Sequence, residues 1–395
     1  MAARGVAQGR LADARSSRKR IQKIRPQARS QALPVLQTVT PTKREPRILR
    51  GSFFSLTIPL DVIVIILGVV ACFWRPSPEW VETHFSNGYY PAWQGFWASV
   101  TRPIPFALGD AVIAVAVVAL LVALSLARPF WRALLGAAAL CAFFLIWFYA
   151  GWGFGYDRAP LETRTSFNAA RITPGEIDAL RARMIARVNR FAPIAHRAAR
   201  QREMDEADLV GAWLPVVARL GDAWVPQIAP AKPAVAGLFM DLSGTSGFTN
   251  PFTLETQLAP DLLWFERPFS QAHEWSHVAS FNREDEANYI AALTCLRDPD
   301  PIAQYSGALE VFLYLPALSN YPHSMFGPLV WQDFAAIRKR NSHFVNLSLS
   351  RFSWRVYNSY LKSNHVASGV QNYDEVTRLL AGIPLDAQGL PVQRR

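Results

Sequence analysis

Cysteine and charge are both scarce in this chain. Three cysteines in 395 residues exclude a disulfide-stapled scaffold and a multi-cysteine zinc ribbon. Charged residues make up 18%, below the about 25% of ordinary soluble domains, while 51% are hydrophobic. The first 50 residues have no aromatic side chain and no sustained apolar period, and read as a disordered tail. That tail carries 13 of the 41 Lys and Arg against only Asp13 and Glu45, so the net charge of +11 belongs to it; residues 51–395 balance at 28 of each sign. Nucleic acid is not an expected partner, because the charge sits outside the fold and lacks interleaved aromatics for stacking.

What is abundant is long apolar sequence. Residues 53–74, 104–127 and 133–150 each have the length to cross about 30 Å of hydrocarbon at about 1.5 Å per residue. The first begins too far along the chain, and lacks the small-residue site, for a cleavable signal peptide. Nothing after residue 152 qualifies, since Leu309–Leu318 is short and contains Glu310. Lys and Arg placement sets the orientation. The basic tail and the Arg128–Arg132 link are expected on the cytoplasmic side and residues 153–395 across the membrane, periplasmic or extracellular in a bacterial inner membrane. The Arg-rich start also resembles a mitochondrial presequence. Asp61 and Asp110 sit toward opposite faces of the membrane, which argues for interfacial placement rather than pairing. Cys72 and Cys141 read as packing residues, and Cys295 has no partner on its side. The expected organisation is a tail (1–50), a three-helix anchor (51–152) and an exported domain (153–395).

The exported part reads as mainly α with a small β-sheet, an α+β domain. Thr173-Pro174-Gly175-Glu176 opens a helix with an N-cap, a first-turn proline and a capping-box acid. Ile177, Leu180, Met184, Ile185 and Val188 share one of its faces. A second helix is expected over about 205–220, stopping at Gly221. Val235–Asp241 and Phe252–Leu258 read as two short strands around the Ser243–Gly247 loop. Helices resume from 268.

The chemistry lies in one stretch. His273-Glu274-Trp275-Ser276-His277 has the HExxH spacing, which on a helix puts both imidazoles on one face about a turn apart. Two neutral nitrogens can then hold Zn²⁺, and Glu274 serves as base toward the attacking water. Ser270, after Pro268, reads as the helix cap. A turn over about 279–283 leads to Arg283-Glu284-Asp285-Glu286-Ala287-Asn288. Glu284 and Asn288 fall one turn apart on one face, so one can ligate the metal while the other holds an imidazole. Acids at a helix start also suit the helix dipole. His196, His343 and His365 are isolated, and the Arg338-Lys339-Arg340 run reads as a solvated helix face.

HExxH followed by Glu-x-x-Ala-Asp/Asn resembles the gluzincin-type metallopeptidases, and the second element stands here as Glu284 to Asn288. The resemblance makes Glu284 the third metal ligand, Asn288 the residue at the usual Asp or Asn position, and Glu286 the alternative ligand. It implies a zincin-like exported domain. The chain also resembles an uncharacterised bacterial family of three-span proteins with an exported HExxH domain, domain-of-unknown-function family 3810. The matching pieces are Trp152–Tyr156, Ser243–Leu258, the AHEWSH and EDEANY segments, and residues 357–364 and 369–380. Ser276 departs from the commoner Ala and leaves the ligands untouched.

The resemblance further implies an edge strand that pairs with extended substrate, for which Phe252, Thr253, Leu254 and Glu255 are the candidates, with Glu255 toward the cleft. Tyr305, Tyr314, Tyr321 and His323 are candidates for stabilising an oxyanion. Intramembrane proteolysis is disfavoured, because residues 262–286 carry too many charges for a span. The expected function is a membrane-anchored zinc metallopeptidase acting on proteins or peptides at the outer face of the bilayer. Two other readings stand beside it: an inactive metal- or peptide-binding sensor, and a membrane scaffold whose tail attracts anionic lipid.

Overall fold

A computed structural model describes residues 50–126, 129–221, 223–234, 237–317, 321–363 and 375–394. The basic tail before residue 50, Arg128 and His365 lie outside the described residues. The first apolar run falls in α1 (Arg50–Phe73), and α2 (Pro78–Trp80) follows it. A wide π turn over Val81–Tyr89 then leads to α3 (Tyr90–Thr101). The other two runs form α4 (Leu108–Leu126) and α5 (Phe130–Gly151). Leu108–Ser125 and Phe130–Gly151 are long and apolar enough to cross a membrane. A third crossing is counted if Leu60–Phe73 and Pro78–Thr101, bent by 114° at their junction, act as one. Much of this apolar surface is exposed, as at Ile66, Val115 and Leu121, which suits a hydrocarbon solvent rather than water.

Beyond α5 come α6 (Leu161–Arg164), α7 (Pro174–Ala199) and α8 (Glu206–Arg219). Thr173 caps α7 by accepting the Glu176 N–H at 3.2 Å, and Leu180, Met184 and Val188 are buried along one face. Asp205 caps α8, and Gly221 follows it in the left-handed region at φ 112°. The sheet has three short strands, β1 (Lys232–Pro233), β2 (Gly247–Thr249) and β3 (Thr256–Leu258), in the order β1-β3-β2. β3 runs parallel to β1 and antiparallel to β2.

Both expected strands are corrected. Residues 237–243 form helix α9 (Gly237–Ser243), because Gly244 at φ 77° ends the helix and its N–H donates to the Met240 carbonyl at 2.9 Å. A short apolar run does not by periodicity distinguish a strand from a helix. The run Phe252, Thr253, Leu254 and Glu255 is a turn, not an edge strand. Asn250 Oδ1 accepts the N–H groups of Phe252 and Thr253 at 2.9 and 3.3 Å, and Leu254 sits at φ 55°. The strand begins only at Thr256 and lies in the middle of its sheet.

Helices α10 (Arg267–Val278), α11 (Glu284–Arg297), α12 (Pro301–Tyr314), α13 (Pro328–Phe344), α14 (Leu347–Ser363) and α15 (Val376–Gly382) complete the chain. Ser270 is inside α10, whose N-cap position is Glu266. The main core gathers α7, α8, α10, α11 and α12 around Trp213 and Trp275, whose rings are 6.0 Å apart. Ser276 has a task here, since its hydroxyl accepts the Trp213 indole N–H at 3.3 Å. The described residues from Phe53 onward cohere as one unit. Trp147 of α5 donates to the Phe252 carbonyl at 3.0 Å, and Tyr360 of α14 lies against Phe148 at the end of α5.

Candidate metal centre

Helix α10 presents His273 and His277 on one face, and its ending fixes the tautomer of the second. Ser280 takes φ 66°. Its N–H donates to the His277 carbonyl at 2.9 Å, and Phe281 N–H donates to the Ser276 carbonyl at 3.0 Å, the pair of bonds that defines a Schellman stop. The reversal brings the Phe281 carbonyl to 2.8 Å from His277 Nδ1. A carbonyl only accepts, so Nδ1 carries the proton and Nε2 presents a lone pair when the ring is neutral. Asn288 does the same for His273, with Oδ1 2.8 Å from its Nδ1.

The turn after α10 also aims α11 back at these rings. His273 Nε2 and His277 Nε2 lie 3.1 Å apart, and Glu284 Oε2 is 3.2 and 3.7 Å from them. Ligands of a tetrahedral ion with bonds of about 2.0–2.1 Å are separated by about 3.4 Å, so the triangle has the size of a zinc ligand set. Glu284 Oε2 is buried with no hydrogen-bond donor among the described residues. Its other oxygen accepts the Tyr357 hydroxyl from α14. Burial disfavours the His277 imidazolium, but the Glu284 carboxylate outweighs it and lifts the group to about 9. Burial likewise opposes ionisation of Glu284, and the two imidazoles override it and hold its carboxyl well below the usual range. Two imidazoles, one carboxylate and an open side are a donor set that suits Zn²⁺.

Glu274 lines the same cavity, which measures about 900 Å³. Burial raises its carboxyl, with His273 and His277 working against the rise. Thr249 of β2 donates to Oε2 at 2.6 Å, which leaves Oε1 without a hydrogen bond among the described residues. Beside that oxygen stands Gly247, where an added Cβ would fall 2.4 Å from Oε1. Gly247→Ala must therefore displace the carboxylate. If Glu274 acts as a base on water at this site, the substitution is expected to cut hydrolysis about 10²-fold, the cost of a misplacement near 1 Å, at unchanged metal content.

The structure separates the remaining candidates. Asn288 reaches His273, and Tyr314 reaches Asn288 at 3.2 Å. Glu286 is not with the other three: its Oε1 accepts the Leu161 N–H at 3.0 Å and its Oε2 is 3.8 Å from Arg164. Glu255 points away from the cleft, into a buried junction with Lys232 and the start of α4. Tyr314 lines the cavity, whereas Tyr305 binds Asp333, Tyr321 packs on Phe312 and His323 stacks on Trp331. His196 also binds Asp333, and Cys295 is buried and free. Asp110, in the first turn of α4, reaches the cavity edge and accepts from Gln257 at 3.1 Å.

Thr249, Gly247 and Tyr357 escaped the sequence reading. The only trace of Tyr357 was its place in the family-like segment 357–364, for no spacing rule ties it to a glutamate 73 positions earlier. Replacing Asn288 by Ala or Tyr357 by Phe is expected to weaken zinc binding about 10–100-fold, measured by competition with a chromophoric chelator.

A family described as "Protein of unknown function (DUF3810)" matches residues 85–381. The chain belongs to that family. No curated protein and no solved structure matches it.

Proposed function

We propose that this member of the family is a membrane-anchored, zinc-dependent peptidase of gluzincin type, acting on proteins or peptides at the outer face of the membrane. One observation carries the reading. Three acceptor atoms, His273 Nε2, His277 Nε2 and Glu284 Oε2, converge within 4.8 Å of one another, in the order and spacing of HExxH plus Glu. A zinc ion held there would polarise a scissile carbonyl and acidify water.

The rest is done by the chain's own groups. Glu274 takes a proton from the attacking water at Oε1 and returns it to the leaving amine, while Thr249 holds Oε2 still. Asn288 and the Phe281 carbonyl keep both imidazoles in the tautomer that leaves Nε2 unprotonated. β2 takes the place expected of residues 252–255. Asn250 N–H donates to the Glu255 carbonyl and Ala259 N–H to the Ser246 carbonyl. This phase turns the backbone groups of Gly247 and Thr249 away from β3. They lie beside Glu274 in the cavity wall, available to an extended peptide.

The test is hydrolysis of a quenched peptide library by the full chain reconstituted in vesicles. Cleavage that a zinc chelator abolishes and added zinc restores is the expected result. No cleavage by zinc-loaded protein across the library would contradict the proposal.

A further inference from the structure

The cavity wall away from the metal ligands is apolar and open. It includes Phe239 of α9, Phe248 of β2, and Phe352, Trp354 and Val356 of α14. These side chains are exposed by 48, 43, 55, 42 and 53%. Leu238 and Leu347 extend the same two helices at 71 and 68%. Scattered exposed apolar residues need no explanation, but a contiguous group rimming one cleft does.

Two observations say what covers it. The first is continuity with the apolar helices. Asp110, in the first turn of α4, lines the same cavity. The last turns of α14 pack on the end of α5, with Tyr360 near Phe148 and Leu361 clustered with Tyr149. The rim therefore stands where α4 and α5 leave the hydrocarbon. The second is charge. Arg351, Arg355 and Lys362 are exposed and, at 3.6 residues per turn, form one stripe along α14 between its apolar edges. Apolar side chains flanking a cationic stripe are what a helix needs to lie in the headgroup layer of an anionic membrane. Glu310, also in the cavity wall, is pushed up to about 8 by burial and by Glu266, so it adds little charge at neutral pH.

We propose that the rim formed by α9 and α14 docks on the lipid surface, seated in the anionic headgroup layer around the ends of α4 and α5. The cleft then opens along the bilayer and receives apolar peptide segments emerging from it. This second clause rests on the peptidase reading; lipid contact does not.

The test uses the full chain with Cys72, Cys141 and Cys295 replaced by Ala and one nitroxide label, placed through Phe352→Cys or, as an exposed control in the turn that follows α7, Gln201→Cys. Samples are reconstituted in phosphatidylcholine vesicles with and without phosphatidylglycerol, and zinc content is checked to show that the site is intact. The expected result is several-fold greater collision of the 352 label with dioxygen than with a water-soluble nickel chelate, the reverse at 201, and a larger contrast with phosphatidylglycerol. Equal access of the nickel chelate to both labels would overturn the proposal. So would spin–spin broadening at 352 that dilution with unlabelled protein relieves, since a second copy would then cover the rim. The label reports lipid contact whether or not peptides are cut, so its failure is distinct from failure of the peptidase reading.

Discussion

Replacing Glu274 by Gln is expected to lower peptide hydrolysis by about 10²–10⁴-fold, the range that a positioned general base supplies, with zinc content unchanged. The substitution keeps the shape of the side chain and its contact with Thr249, but an amide cannot take a proton from water. Its carbonyl oxygen would occupy the acceptor position that Thr249 Oγ1 now serves, which pairs with Glu274 Oε2 at 2.6 Å. The ligand triangle of His273, His277 and Glu284 does not use this side chain. Activity and metal binding should therefore separate cleanly. A Gln variant with wild-type turnover would remove Glu274 from the chemistry.

Removing Glu255 should destabilise the protein by about 3–5 kcal/mol, the cost of leaving the partner of a buried ion pair uncompensated. Glu255 is 3% exposed and Lys232 is 8% exposed. The Glu255 carboxylate accepts from Lys232 Nζ at 2.7 Å, Thr253 Oγ1 at 2.7 Å, and the N–H groups of Leu108 and Gly109 at 3.0 and 2.7 Å. The last two are donors in the first turn of α4, which a helix leaves without internal partners. Gly109 allows this approach, since a Cβ there would meet Asn250 and Thr253 at 2.4 Å. Glu255→Ala would leave Lys232 buried beside the Thr101 and Phe106 carbonyls alone and would loosen the sheet from α4. Unfolding in detergent reads the loss directly. The double change Glu255→Gln with Lys232→Met should lose much less, and a loss below about 1 kcal/mol for Glu255→Ala would contradict this account of the junction.

The parts of this molecule that follow short-range rules could be read from the chain. The HExxH spacing, the turn before Glu284 and the one-turn interval to Asn288 are helix arithmetic, and the structure brings His273, His277, Glu284 and Asn288 together as that arithmetic suggests. The N-cap at Thr173 and the stop at Gly221 are equally local. Local pattern misleads where it fits two structures equally well. Residues 237–243 look apolar enough for a strand, yet the left-handed Gly244 makes them a helix. Phe252 to Glu255 has strand composition, but the Asn250 side chain satisfies two successive N–H groups and turns the chain instead. Long-range contacts left no local trace. Tyr357 on Glu284, Thr249 on Glu274 and Glu286 on Leu161 each join segments that only the folded core brings together.

In the proposed site His273, His277 and Glu284 hold one zinc ion. Metal content of the purified full chain, measured by mass spectrometry beside His273→Ala, tests it most directly. Close to one zinc per chain is expected in the wild type, with a near-complete loss in the variant. A wild-type chain that takes up no zinc after loading, or a variant that keeps it, would rule out this metal site.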